Sequence, residues 1–181
     1  MHYFEIFFIL FLLGFIFWVS SHLYSSIFHV PYVNSSKEAI YNALRLSGLK
    51  KGEILIDLGC GRGDTLIVAS RDFGAKSFGF EISPLPYLLA KIKILVSGQS
   101  KNCQVTFGDF KNAEPKLKDS DVIYLYLFNS TLKRIEKWLF GHIRAKTKIV
   151  TLAFSFSKHK PIKVIETKNL GRETKVSLYI K

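Results

Sequence analysis

The sequence predicts an α/β domain built on a doubly wound, mostly parallel sheet, behind one apolar helix. Three observations carry this reading. Between Ile54 and Ala153, short apolar runs alternate with segments of helical periodicity, the order that βαβ units produce. The first run, Ile54-Leu55-Ile56-Asp57, opens onto Gly59, Gly61 and Gly63 just before a helical pattern. Alternate glycines there let the backbone turn tightly and approach an anionic or polar ligand at the helix N-terminus. The C-terminal region carries two strand-like runs, Ile162–Glu166 and Thr174–Ile180, around Asn169-Leu170-Gly171, which reads as a closing antiparallel pair.

At the N-terminus, Ile6–Val19 is apolar apart from Gly14. That core is short for a span of about 20 residues. It extends to Phe28 through Ser20, Ser21, His22, Leu23 and Tyr24, residues an interface tolerates. Trp18 and Tyr24 suit an aromatic belt. A signal peptide, the main rival, needs a basic start and a small-residue cleavage site, and neither is visible. A helix buried in the folded domain fits the same composition. No Lys or Arg precedes the segment, while Lys37, Arg45, Lys50 and Lys51 come after it. The positive-inside rule then places the remainder of the chain in the cytoplasm. The expected division is a single-pass membrane anchor over residues 1–29 and a folded domain over residues 30–181.

All 26 basic residues lie beyond residue 36, with all but one of the 14 acids. The net charge of +12 points to an anionic surface nearby, whether lipid headgroups, nucleic acid or an acidic partner. A lysine-rich solubilising surface accounts for the same numbers. Cys60 and Cys103 have no metal-like spacing. They fit a reducing compartment and indicate neither a disulfide framework nor a zinc site.

Along the domain, Ser35 and Glu38 form a capping box for a helix over Glu38–Leu46 that Gly48 closes. Thr65–Phe73 is the first crossover helix, ending near Gly74, and Lys76–Glu81 the next strand. Ser83 and Pro84 start a helix over Pro84–Val96, as N-cap and first helical residue. Its Leu88, Leu89, Ile92 and Leu95 recur at helical spacing and are assigned to the core, with Lys91 and Lys93 on a solvated face. Val105–Phe110 and Asp121–Asn129 read as strand segments, Thr131–Leu139 as an amphipathic helix and Thr147–Ala153 as a strand.

The glycine spacing narrows the ligand. A dinucleotide fingerprint would place its third glycine at position 64, which is Asp64. The pattern is instead G-x-G-x-G with an acid, Asp57, two positions before Gly59. This resembles motif I of the Rossmann-like S-adenosylmethionine (SAM) methyltransferases. The resemblance implies SAM as cofactor and a seven-stranded sheet closed by an antiparallel pair. It also implies that Asp57 supports the loop and the methionine end of SAM, against the backbone of Gly59, Cys60 and Gly61. Glu81 lies 22 residues after Gly59, where an acid accepts bonds from ribose hydroxyls. A solvated strand-end carboxylate is the plainer reading of the same residue. Ile82 belongs with Glu81. Asp109, with Phe110, takes the family position beside the adenine, though Gly108-Asp109 is also a common turn. The acceptor side falls around Tyr126, Phe128 and Asn129. Tyr126 and Phe128 serve equally as core residues, and Asn129 as a turn former.

A narrower resemblance is to the small membrane-anchored lysine methyltransferases that modify the ATP synthase c subunit and the adenine nucleotide translocase, with their prokaryotic relatives. It rests on the apolar N-terminus, motif I, Gly79-Phe80-Glu81-Ile82-Ser83-Pro84, and Pro31-Tyr32-Val33-Asn34-Ser35. The last resembles P-Y-V-P-[ST], with Asn34 in place of the second proline, and implies that Tyr32 and Ser35 line the cofactor pocket. Where those proteins read G-S-G-D-G-R, Arg62 and Asp64 stand with acid and base exchanged. The Asn-Pro-Pro-Tyr tetrapeptide of many amino-group methyltransferases is absent. The expectation is a membrane-anchored methyltransferase acting on a membrane protein's lysine. A membrane-soluble acceptor such as a quinone or lipid, and a SAM-binding assembly factor without turnover, are the alternatives. An anchor and the absence of an appended binding module argue against nucleic acid. Oligomeric state is not legible.

Overall fold

The computed structural model describes residues 2–27 and 34–181. Tyr32 and the expected boundary between anchor and domain lie outside the described residues. Helix α1 (His2–Ile27) is 26 residues long. Its Tyr3–Ser20 stretch has a mean hydropathy of 2.2, with 0% of it buried. By length and composition that suffices to cross a membrane; a signal sequence has the same character.

The domain runs α2 (Lys37–Ser47), β1 (Ile54–Leu58), α3 (Asp64–Phe73), β2 (Lys76–Glu81), α4 (Pro84–Val96), β3 (Cys103–Phe107), α5 (Glu114–Leu117), β4 (Val122–Leu125), α6 (Asn129–His142), β5 (Lys148–Leu152), β6 (Lys163–Asn169) and β7 (Arg172–Ile180). The seven strands lie in the order β3-β2-β1-β4-β5-β7-β6. The first five are parallel, and β7 runs antiparallel to both β5 and β6. The strand order reverses between β1 and β4, and such a switch point opens a crevice at the carboxyl ends of the strands. Asp57 stands level there with Gly79 on one side and Tyr124 on the other.

The central strands are apolar on both faces because both are covered. Leu55 points towards α2 and α3, where Ile40, Leu44 and Leu66 are fully buried, and Ile56 points towards Leu132 and Leu139 of α6. Gly79 is required by this packing: a Cβ there would meet Cys60 Sγ at 2.5 Å and Leu66 Cδ1 at 2.7 Å.

Several expectations are corrected. The cap of α2 is Ser36, whose side chain accepts from the Ala39 N–H, so Ser35 and Glu38 form no capping box. Strand β4 stops at Leu125 and α6 already begins at Asn129. The terminal strands are longer than their apolar runs and turn through Leu170 (φ 51°) and Gly171 (φ 79°), the paired left-handed conformation of a tight hairpin. Leu88, Leu89, Ile92 and Leu95 are exposed; Ala90 and Ile94 are the buried residues of α4. Periodicity marks an apolar stripe but does not say which side the sheet lies on.

Between β5 and β6 the chain runs irregularly, and Glu136 of α6 holds it. This buried carboxylate accepts from the backbone N–H groups of Ser157, Lys158 and His159, from Ser157 Oγ and from His159 Nδ1. Burial pushes its pKa up, but these donors outweigh it and bring the group down to about 2. A carboxyl lowered in the fold stabilises fully above its ordinary range and loses that contribution as pH falls from about 4.5 towards 2. Glu136→Gln puts an amide donor against N–H groups. We expect a loss of ~2–4 kcal/mol at pH 7, shrinking towards pH 3, measured by urea unfolding of parent and variant at both pH values.

Candidate active site

The loop after β1 is built by its glycines. Gly59, Gly61 and Gly63 have φ of 87°, 54° and 75°, values that side chains rarely adopt. The N–H groups of Gly59 and Cys60 both donate to the Phe80 carbonyl, at 2.8 and 3.1 Å. The loop is thus folded over the end of β2, where Glu81 secures it. Glu81 Oε2 accepts from the Gly61 N–H at 2.8 Å and Oε1 from the Ser83 N–H at 2.7 Å. Each oxygen keeps further lone-pair capacity for a ligand.

A cleft of about 710 Å³, open to solvent, lies over this loop. Ser35, Asp57, Gly59, Cys60, Gly61 and Glu81 line it, as do Tyr126 and Phe128. A second recess of about 500 Å³ is lined by Ile82, Asp109 and Phe110. Gly59, Glu81, Leu127 and Thr131 line both, so the two are ends of one groove with Glu81 at the junction. Every described residue expected to bind cofactor is on this groove. Asn129 is not: it is the exposed first residue of α6.

Asp57 is 2% exposed. Burial pushes its pKa up to about 8; a hydrogen bond with Thr65 opposes the shift and the Glu81 carboxylate adds to it. The carboxyl therefore holds its proton near neutral pH, and a cation arriving beside it would favour the ionised form. Burial also drives the Cys60 thiol well above its usual range, helped by Asp57 and Glu81. Cys60 is thus a small inert wall residue, not a nucleophile.

In the second recess Asp109 caps a short 3-10 turn, Oδ1 accepting from the Lys111 N–H at 2.9 Å. Phe110 lies between Trp138, 5.7 Å between ring centres, and the Arg134 guanidinium, 5.7 Å from its ring centre. Phe110 gives this recess an aromatic wall, with Asp109 and Arg134 among its polar lining residues.

The outer wall joins distant segments. Ser35 Oγ and Tyr124 Oη are 3.1 Å apart, and burial keeps the Tyr124 phenol well above its ordinary range, against that bond. Asn169 Nδ2 donates to the Asn34 carbonyl at 3.3 Å and to Tyr126 Oη at 3.2 Å, while its Oδ1 accepts the Ser36 N–H at 2.6 Å. Phe154 packs on Tyr126 and Phe128, with ring centres 6.3 and 5.1 Å away. Sequence reasoning missed Thr65, Tyr124, Thr131, Arg134, Phe154 and Asn169. Strand alternation places Tyr124 on the face of Tyr126, and Thr65 opens the helix after the glycines. Asn169 carries no such signal.

A family model for the ANTKMT methyltransferase domain matches residues 57–163, more than half of the chain. The chain belongs to this family. It is similar to a protein-lysine N-methyltransferase from Saccharolobus islandicus (strain REY15A), 26% identical over 153 residues, which cover 84% of this chain and 94% of that one. Among solved structures, an RNA methyltransferase from Salinibacter ruber bound to S-adenosyl-L-homocysteine superposes with a TM-score of 0.75 at 26% identity, over 82% of this chain and 93% of that one. The B. subtilis tRNA methyltransferase TrmK shares the fold alone, with a TM-score of 0.64 at 14% identity over 82% and 66% of the two chains. This ANTKMT-family protein is a SAM-dependent methyltransferase. Its own residues fit that cofactor: a glycine cradle in which a Cβ on Gly59 would meet Leu127 Cδ2 at 3.1 Å, spare acceptor capacity on Glu81 for ribose hydroxyls, and an aromatic wall at Phe110 for a base.

Proposed function

We propose that this enzyme is a protein-lysine N-methyltransferase acting on a membrane protein. The observation that carries the reading is the aromatic wall of Tyr126 and Phe128, backed by Phe154, on a groove whose buried acids are Asp57 and Glu81. Aromatic faces and carboxylates together attract an ammonium group and give its alkyl stem an apolar contact. The Saccharolobus relative supports lysine as acceptor. Helix α1 supports a membrane-borne target, as a single-pass anchor over residues 1–29 that holds domain 30–181 on the cytoplasmic side.

In this reading Asp57, Gly59, Cys60 and Gly61 hold the methionine end of SAM, Glu81 the ribose, and Ile82, Asp109 and Phe110 the adenine, with Ser35 on the wall opposite. Tyr32 belongs to the same set. Bound SAM would supply a methyl made electrophilic by its sulfonium; a lysine that had given its ammonium proton to solvent would take that methyl in line, with S-adenosylhomocysteine as the leaving group. The protein's part is positional: the glycine loop and Glu81 fix one partner, while Tyr126, Phe128 and Phe154 align the other and exclude water. Tyr124, held protonated and bonded to Ser35, orients the wall and is no base.

A second reading, RNA methylation, draws on the net charge of +12 and the Salinibacter neighbour. Full-length enzyme in detergent, given SAM labelled in its methyl group, separates the possibilities on a membrane fraction. Label in a protease-sensitive band that a Lys→Arg change in the target removes is the expected result. Nuclease-sensitive label favours RNA, and solvent-extractable label a quinone or lipid. SAM binding without transfer to any fraction favours an assembly factor.

A further inference from the structure

Helix α4 turns an apolar face away from its own domain. At about 100° per residue, Leu95, Leu88, Ile92, Val96 and Leu89 fall within an arc of roughly 120°, opposite the buried Ala90 and Ile94. These five side chains are 38% to 81% exposed. Lys91 and Lys93 sit at the two edges of the arc, and the helix contains no Asp or Glu. Lys93 pairs with Asp64 of α3, and Lys91 lies over the Tyr87 ring at 5.9 Å. Tyr87 in turn packs against Phe107, itself 45% exposed.

An apolar arc flanked by lysines that reach sideways is the pattern of a helix lying in the membrane interface. A soluble surface has no use for five adjacent exposed aliphatic residues. The occupant is indicated by what adjoins the face: α1, apolar all round and unburied, touches α4. We propose that the outer face of α4 docks on an anionic bilayer, its apolar arc among the acyl chains and its lysines at the headgroups. This rests on, and extends, the reading of α1 as an anchor. It also narrows the substrate. Ser83, at the start of α4, lines the cofactor groove, so a docked α4 brings the groove to headgroup level. The acceptor would then be a lysine at the membrane surface, not one in the hydrocarbon or on a distant extramembrane domain.

The test uses the full chain in vesicles of phosphatidylcholine with and without phosphatidylglycerol. Single thiols are introduced by Leu95→Cys on α4, Phe11→Cys on α1 and Lys118→Cys on the exposed far side of the domain, each labelled with bimane. Cys60 and Cys103 are buried, so brief labelling of the folded protein marks the new thiol. All three sites are exposed, which keeps the fold intact. Nitroxide lipids are expected to quench the labels at positions 11 and 95 but not at 118, with quenching at 95 stronger when phosphatidylglycerol is present. Quenching at 11 without 95 overturns the docking of α4 and leaves the anchor standing. Quenching at 95 without 11 keeps the docking and removes the anchor. Quenching at neither removes both. Cross-linking between copies through position 95, with no lipid quenching there, assigns the face to a second copy and overturns the proposal.

Discussion

Replacing Glu81 by alanine abolishes SAM binding at concentrations that saturate the parent, and the variant melts at a lower temperature. The carboxylate has two tasks. Towards the ligand its spare lone pairs are proposed to take ribose hydroxyls, and a hydrogen bond to a charged group is worth about 1.5–3 kcal/mol. Losing two costs roughly 100-fold or more in affinity. Towards the protein it accepts from the Gly61 and Ser83 N–H groups. Without it, two donors at a buried site lack acceptors, at about 1–3 kcal/mol each, and the glycine loop loosens. Glu81→Gln keeps the shape and one carbonyl oxygen, and falls between parent and alanine on both counts. Calorimetry gives the affinities and thermal scans the stabilities. SAM raises the parent's melting temperature by linkage and leaves the alanine variant's unmoved. A folded alanine variant that binds SAM as the parent does would remove Glu81 from the site.

Asp57→Asn trades in the opposite direction, with higher stability and weaker binding. In the fold this carboxyl keeps its proton up to about 8, against an ordinary value of 3.8. Its contribution to stability is therefore full below the ordinary value and is lost as pH rises through about 8. Asparagine has no proton to lose. The variant should match the parent near pH 4, gain on it as pH rises and hold a constant advantage above about pH 8, in denaturant titrations across that range. Binding moves the other way, because the cationic end of SAM favours ionised Asp57. The parent should release close to one proton on binding SAM near pH 7, and the variant none. Calorimetry in two buffers of different ionisation enthalpy reads this directly. Equal proton release by both would place the charge elsewhere. Such a strained, costly group at a ligand site is where stability is commonly given up for function.

The parts of the molecule legible from sequence are those whose chemistry is local. Asp57, the alternate glycines and Glu81 sit at strand ends and turns, where a few consecutive residues dictate the backbone and its open hydrogen-bonding groups. The mostly parallel, doubly wound sheet follows from the alternation of elements, and the terminal pair from its turn residues. Features that depend on what lies opposite were not legible. The arc of α4 reads as core because spacing alone does not orient a stripe. Ser35 reads as a cap because its partner, Tyr124, lies 89 positions away. Glu136 looks like an ordinary helical surface acid, and only the returning chain at residues 157–159 makes it a buried anchor. Asn129 looks like the end of a strand because the apolar run continues through Leu127 and Phe128 after the ladder has stopped.

The hydrogen bonds of Asn169 have a bearing on how the enzyme is made. They join the first residues of the domain to the last hairpin, across 133 and 135 positions of chain. During synthesis Asn34–Ser36 leave the ribosome well before Asn169, so pairings this distant close late. A nascent chain can assemble the glycine loop and Glu81 while the wall of Asn34 and Tyr126 still lacks Asn169 to hold it. The two ends of the groove thus differ in how they are built: the glycine loop and Glu81 close within about 20 positions, while the wall of Asn34 and Tyr126 waits on a pairing that spans most of the domain.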